Sequence, residues 1–265
     1  MIYTLDAGLL ATTMLFPKRV KRWFRSQQQM LRRQCNRSYF SDWRTRLEPT
    51  SRKFGFDRGS PIDRYYIESF LACHAANIRG RVLEVGDDTY ARKFGGAGVG
   101  KIDILHATNE NKKATIVADL TCAEIIPSET FDCIICTQTM QFIYDVSAAV
   151  CTLHRVLKPG GVLLVTFPGI SQISRYDMDQ WGEYWRFTTV SARRLFQSFG
   201  PDLTVKAYGN VLTAIAFLHG LAAEELRREE LDYCDPDYEV LLTVRAAKSL
   251  NGHADRANSG HKESR

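Results

Sequence analysis

Between Pro61 and Ala247, short apolar runs alternate with amphipathic ones, and this alternation limits what the chain can become. Arg81–Val85, Lys101–Ala107, Ala114–Ala118, Phe131–Thr137 and Gly161–Phe167 each have the length and apolar content of a buried strand. A helix is predicted over about 61–73, opening at Pro61. Val146, Ala149, Val150, Leu153 and Leu157 mark one face of a second helix. Lys158-Pro-Gly-Gly161 is expected to stop that helix and turn the chain. Strands separated by helices argue for βαβ units around a parallel sheet. Leu203–Tyr208 and Val240–Ala246 complete the expected strands, with a helix over about 210–226 between them.

The 265 residues, 45% hydrophobic and 25% charged, suffice for a large core without disulfides or a structural metal. They exclude collagen and intrinsically disordered chains. The net charge of +5 is uneven. Pro17–Lys53 holds twelve basic residues against two acids, whereas the chain from Phe54 onward carries a net −4. Three regions follow: a basic arm over 1–53, a mildly acidic body over 54–248, and a polar tail over 249–265 without apolar periodicity, expected to be disordered. In the arm, Val20, Trp23, Phe24 and Leu31 share one face of a predicted helix. Such a helix suits packing on the body, an anionic surface or a nucleic acid. The body is not read as a nucleic-acid binder, because the positive charge belongs to the arm.

Seven cysteines at irregular spacing predict reduced, buried thiols and a cytoplasmic protein. Cys133-Ile-Ile-Cys136 has metal-like spacing but falls within a predicted strand. Residues three apart there face opposite sides, so the thiols cannot converge. No metal site is expected. Met1–Phe16 is apolar, yet its basic residues follow the run, the wrong polarity for a secretory signal. No segment has the length and apolarity to cross a bilayer.

Arg81-Val-Leu-Glu-Val-Gly-Asp87 carries the most chemistry. A buried strand ends in an acid, one residue and a glycine, where an open parallel sheet binds its ligand. Gly86 lets the chain turn and lets a ligand approach the backbone. Acids at Glu84 and Asp87 repel a pyrophosphate but suit a cationic amine and ribose hydroxyls, which favours S-adenosylmethionine over NAD or ATP.

With three further blocks, the chain resembles the class I S-adenosylmethionine-dependent methyltransferases. Val82-Leu-Glu-Val-Gly86 is similar to that family's first motif and Ile116-Val-Ala-Asp-Leu120 to its third-strand block. Phe131–Gln138 resembles its fourth strand, and His154-Arg-Val-Leu-Lys-Pro-Gly-Gly-Val-Leu-Leu-Val165 its helix, turn and fifth strand. The resemblance implies a doubly wound, seven-stranded Rossmann-like α/β sandwich whose last strand is antiparallel. It implies S-adenosylmethionine as cofactor, held by Glu84, Gly86, Asp87, Asp88, Thr108, Asp119, Leu120 and Gln138, with Asp119 against the adenine amine. Two departures stand out. The family's Gly-x-Gly-x-Gly is Gly86-Asp-Asp-Thr-Tyr90 here, and Thr108 takes the place of the usual ribose-binding acid, with Glu110 or Asp88 to compensate. Gly96-Ala-Gly-Val-Gly100 spells the glycine pattern but precedes a strand, so it reads as a connecting loop.

Tyr184-Trp-Arg-Phe-Thr188 resembles a block that small-molecule and sugar methyltransferases carry beside the substrate. It implies an acceptor site with Tyr144, Tyr184, Trp185 and Arg186, and O-methylation of a small molecule or saccharide. The alternative is that Trp185 and Phe187 are core and Arg186 a structural ion-pair partner. His106 and His219 are the candidate catalytic histidines, whereas His154 reads as structural. Two other functions stay open: an RNA methyltransferase that captures substrate with the arm, and a non-catalytic binding module on the same fold.

Overall fold

The computed structural model describes residues 46–250. The arm face of Val20, Trp23, Phe24 and Leu31, Cys35, and the tail with its histidines lie outside the described residues. The elements run α1 (Ile62–Cys73), β1 (Gly80–Val85), α2 (Thr89–Phe94), β2 (Val99–His106), β3 (Ile116–Val117), β4 (Phe131–Thr137) and α3 (Val146–Val156). They continue β5 (Leu157–Pro168), α4 (Arg175–Trp181), α5 (Thr189–Leu195), β6 (Leu203–Tyr208), α6 (Val211–Leu218), α7 (Arg228–Asp232) and β7 (Leu241–Ala247).

All seven strands join one sheet in the order β3-β2-β1-β4-β5-β7-β6. The pairs among β1 to β5 are parallel, and β7 runs antiparallel to both β5 and β6. This is the doubly wound sheet expected from the strand–helix alternation. Strand periodicity sends alternate residues to two cores. Leu83, Ile134, Cys136, Leu163 and Val165 pack beneath α3 and α5. Val82, Cys133, Ile135 and Leu164 pack beneath α1 and α6. Chain order reverses between β1 and β4, which opens a crevice at the carboxyl ends of those strands.

Several boundaries differ from the sequence reading. β3 is only Ile116 and Val117, because the Thr115 hydroxyl, rather than a backbone carbonyl, accepts the Ile104 N–H at 2.9 Å and the ladder stops there. Lys158–Gly161 does not turn the chain out of a helix. Leu157 is already extended at the end of α3 and pairs with Phe131, and the next pair joins Val162 to Cys133. The four intervening residues form an irregularity within β5, where Gly160 has φ 75°. Pro159 disfavours helix in the residue before it, which explains the early stop. α6 ends at Leu218 rather than near residue 226. Gly220 takes φ 69°, and a Cβ there would meet the Ser51 carbonyl oxygen at 2.2 Å. That contact belongs to a seam in which Thr50 and Ser51 both donate to the His219 carbonyl.

The cysteines are less buried than expected. Among the described residues Cys73, Cys122, Cys151 and Cys234 are exposed, and only Cys133 and Cys136 are buried. Those two lie in different cores, on opposite faces of β4. No group of three or more His, Cys, Asp or Glu among the described residues is arranged to hold a metal ion. No described helix is long and apolar enough to cross a membrane.

Candidate functional site

A cavity of about 1050 Å³ opens at the carboxyl ends of the parallel strands. β1 delivers Glu84 to its wall, and Gly86 follows. Glu84 is 1% exposed, and its two oxygens accept the N–H groups of Tyr90 at 3.0 Å and Ala91 at 2.7 Å. It thereby ties the first turn of α2 to β1. Burial pushes the Glu84 carboxyl up to about 7, against the opposing pull of those two hydrogen bonds.

Gly86 has φ 98°, a conformation that a side chain disfavours. Among the described residues, none beyond its two chain neighbours comes within 4 Å of where its Cβ would stand, and Gly86 lines the cavity. Asp87 stays in the cavity wall and accepts from Thr89 N–H at 2.8 Å. The two acids after Gly86 diverge: Asp88 is buried outside the cavity lining and pairs with Arg92. A direct ligand role for Asp88 is therefore corrected, because its charge is already matched.

β2 and β3 bring His106, Thr108, Asp119 and Leu120 to the same cavity. His106 Nδ1 lies 2.9 Å from the Thr108 carbonyl oxygen. The same Nδ1 lies 3.2 Å from the Thr108 N–H, so the Thr108 backbone serves either tautomer: its carbonyl accepts from a protonated Nδ1, and its N–H donates to an unprotonated one. Asp119 is exposed and accepts from Thr121 N–H at 2.8 Å, while Leu120 gives an apolar wall beside it. Glu110 is exposed and outside the lining. At the end of β4, Gln138 holds φ 47°, an unusual value for a residue with a side chain, and also lines the cavity.

The expected acceptor residues separate. Tyr144 and Tyr184 line the cavity and meet edge to face, with centroids 5.4 Å apart. Trp185 and Arg186 do not line it. Trp185 is 37% exposed and donates to the carbonyls of Ile143 at 3.0 Å and Tyr144 at 3.2 Å. It braces Tyr144 from outside and is not a core residue. Arg186 is turned to Glu183 at 2.7 Å and to the Gln172 carbonyl at 2.8 Å, the structural ion-pair role. Phe187 is core, packed on Phe167 at 4.7 Å. His219 is corrected as a catalytic candidate. It sits at the carboxyl end of α6, outside the lining, and its carbonyl secures Thr50 and Ser51. His154 packs edge to face on Phe199, also away from the cavity.

The sequence reading missed Phe56, Asp63, Arg64, Gln141 and Glu183, all in the lining. Asp63 and Arg64 begin α1, and nothing in a Pro-led helix start signals that its first turn faces a ligand. Arg64 is held by the Tyr90 hydroxyl and lies over the rings of Phe56 and Tyr90 at 5.7 and 5.6 Å. Burial raises the Asp63 carboxyl to about 6 despite the neighbouring guanidinium of Arg64. Trp181, at the end of α4, reaches across to His106, with ring centroids 6.0 Å apart.

Residues 93–165, from the end of α2 through most of β5, match a family model described as a methyltransferase domain. No curated protein matches the chain. Among solved structures, an S-adenosylmethionine-dependent methyltransferase from Mesorhizobium loti is 19% identical with a TM-score of 0.48, over 67% of this chain and 95% of that one. A counterpart from Archaeoglobus fulgidus is 11% identical with a TM-score of 0.48, over 70% and 94%. Phosphoethanolamine N-methyltransferase 2 from Haemonchus contortus, solved with S-adenosyl-L-methionine, is 14% identical with a TM-score of 0.43, over 64% of this chain. The alignment spans only 49% of that longer chain.

Proposed function

We propose that this chain is a class I S-adenosylmethionine-dependent methyltransferase and that it methylates an oxygen of a small molecule or sugar held against Tyr144 and Tyr184. The observation that carries this reading is the open space at Gly86. Its bare backbone, Asp119 and the tyrosine wall border one cavity of about 1050 Å³, ample for a nucleoside cofactor and a small acceptor.

S-adenosylmethionine supplies a methyl group activated by its sulfonium. In this reading Gly86 gives the cofactor its closest backbone approach, and Asp119 accepts from the adenine amine beside Leu120. Asp87 and Thr108 offer acceptors to the amine and ribose hydroxyls, in place of the missing ribose-binding acid. Gln138 borders both halves of the cleft. Glu84 acts at one remove, fixing the turn that exposes Gly86, because both of its oxygens are already committed.

The protein's own work is alignment, a contribution worth up to ~7–11 kcal/mol in an in-line displacement. Tyr144 and Tyr184, both exposed, offer ring surface to the acceptor. For a hydroxyl acceptor, His106 is the base we assign, acting through Nε2 in the tautomer whose Nδ1–H donates to the Thr108 carbonyl, a role worth roughly 10²–10⁴-fold. The cavity wall weighs against RNA as acceptor. Among the described residues, seven acids line it against one guanidinium, a poor setting for phosphates.

Calorimetry with S-adenosylmethionine, followed by transfer of a labelled methyl group to a panel of hydroxyl compounds, tests the proposal. Saturable cofactor binding with label in a neutral or sugar-like product supports it. A folded chain that binds no cofactor is instead a binding module on a methyltransferase fold.

A further inference from the structure

We infer that the acceptor end of the cleft is built for a small molecule carrying a protonated amine, which anchors the substrate while a hydroxyl oxygen remains the methylated atom. The inference rests on the cofactor and acceptor assignment above and narrows its substrate class.

Charge is the first observation. Among the described residues, Arg64 is the single guanidinium in the lining, and it is tied to Tyr90 on the α1 side. The segments after β4 and β5 each set acids among aromatic rings in the same lining: Asp145 follows Tyr144, Asp177 shares α4 with Trp181, and Glu183 precedes Tyr184. Glu183 is neutralised by Arg186 at 2.7 Å. Asp145 and Asp177 make no ion pair with a Lys or Arg among the described residues. Asp145 caps α3 through Ala148 N–H at 2.9 Å, and Asp177 accepts the Ser174 hydroxyl at 2.5 Å. A recess lined by charge of one sign concentrates the opposite sign within it. Aromatic faces beside carboxylates add attraction for an ammonium.

The second observation is independent of charge. Gln141 is 4% exposed and lines the cavity. Its Nε2 donates to the Gln138 carbonyl at 3.0 Å, and its Oε1 has no partner among the described residues. Flipping the amide would set oxygen against oxygen, so the orientation is fixed. A buried acceptor without a donor is costly, and here the wall offers none. An ammonium brings up to three N–H groups and a charge that the surrounding acids favour, whereas a carboxylate or phosphate brings neither.

Three probes with one hydroxyphenyl skeleton test this: tyramine, the neutral alcohol tyrosol, and 4-hydroxyphenylacetate. Each is titrated calorimetrically into the full chain saturated with S-adenosylhomocysteine. Tyramine is expected to bind about tenfold more tightly than tyrosol, the scale of one charge-assisted contact, with the anion weakest. Asp145→Asn together with Asp177→Asn, which keeps the α3 cap, should bring the tyramine-to-tyrosol ratio near one while leaving tyrosol unchanged. Gln141→Met should weaken tyramine about threefold to tenfold at unchanged S-adenosylhomocysteine affinity. Equal binding of tyramine and tyrosol, or no tyramine binding below about 10 mM, overturns the inference while the cofactor assignment stands. A ratio that survives the double Asn variant also overturns it. Failure of S-adenosylhomocysteine to bind overturns the cofactor assignment itself, and this inference with it.

Discussion

Asp103 and Asp132 in the sheet can be set against Glu84 and Asp63 in the cleft. Asp103 meets Arg81 at 2.7 Å and Lys101 at 3.0 Å. Asp132 meets Lys158 at 2.9 Å and the Arg81 N–H at 2.8 Å. Burial pushes both of these carboxyls up, but their cationic and hydrogen-bonding partners hold them below the ordinary carboxylate range. In the cleft the balance reverses. Glu84 has two backbone N–H partners and the like charges of Asp87 and Asp88 nearby, and burial raises it to about 7. Asp63, beside a single guanidinium, rises to about 6. Matched acids hold strands together in their ionised form, whereas burial keeps Glu84 and Asp63 protonated to higher pH.

The sharpest way to separate the two sets is pH. Glu84 keeps its proton in the folded chain up to about 7, whereas in the unfolded chain it releases it near 4.5. Its contribution to stability is therefore full below the unfolded value and falls as pH rises through that window. The loss is of the order of 3 kcal/mol, because each pH unit between the two values corresponds to about 1.36 kcal/mol. Asp63 acts in the same direction. Asp103 and Asp132 act oppositely, since their stabilisation is present above the unfolded value of 3.8 and disappears as pH falls through their folded values. Melting temperature measured from pH 3 to 8 should pass through a maximum on the acid side of neutrality, and Glu84→Gln should flatten its descent toward neutral pH. A descent of unchanged slope in that variant would show that Glu84 is ionised throughout.

The next effect is the loss of Asp103. Asp103→Ala strands two cations that are themselves partly solvated, so about 2 kcal/mol of stability should go, below the range for fully buried pairs. Cofactor affinity measured on the same variant should stay put. A drop in affinity at unchanged melting temperature would break the division between sheet acids and cleft acids.

Asp119→Ala should do the converse. One hydrogen bond to the adenine amine is worth ~0.5–1.5 kcal/mol, so S-adenosylmethionine binding should weaken severalfold while chemical denaturation is unchanged. Unaltered affinity would remove Asp119 from the cofactor site.

The smallest change is expected from Trp185→Phe. It deletes the N–H that spans two carbonyls but keeps an aromatic brace behind Tyr144. Turnover should fall a fewfold through a looser Tyr144, with cofactor affinity intact. Loss of both together would move this segment over the cofactor.

How far the sequence can be read depends on whether a residue's role is local. The alternation of strands and helices specifies the sheet, and β4 and β6 match their predicted bounds. The strand assignment of Cys133 and Cys136 already puts them on opposite faces. Gly86, Asp119 and Leu120 are legible because a ligand site at the carboxyl ends of parallel strands follows from topology. Asp87 and Asp88 cannot be told apart, since only the turn into α2 decides which one meets Arg92. Trp185 resists for a similar reason. An aromatic run predicts burial or a pocket, but which ring faces inward depends on the turn at Gly182, where φ is 79°. Asp63 and Gln141 are invisible because their significance lies in long-range packing.

The two thiols of β4 have an experimental consequence. Cys133 and Cys136 are each pushed up to about 12 by desolvation, so the reactive thiolate is suppressed in the closed sheet. Cys73, Cys122, Cys151 and Cys234 stand in solvent. An alkylating reagent therefore meets two populations in one chain. The exposed set records the chemistry of the reagent, and the inner pair records how often the layers on either side of β4 come apart. Because the inner pair faces different layers, peptide mapping of which thiol is modified first tells which layer lifts first. Where opening releases the cofactor, saturating cofactor should slow both thiols by a factor approaching one plus the ratio of free cofactor concentration to Kd.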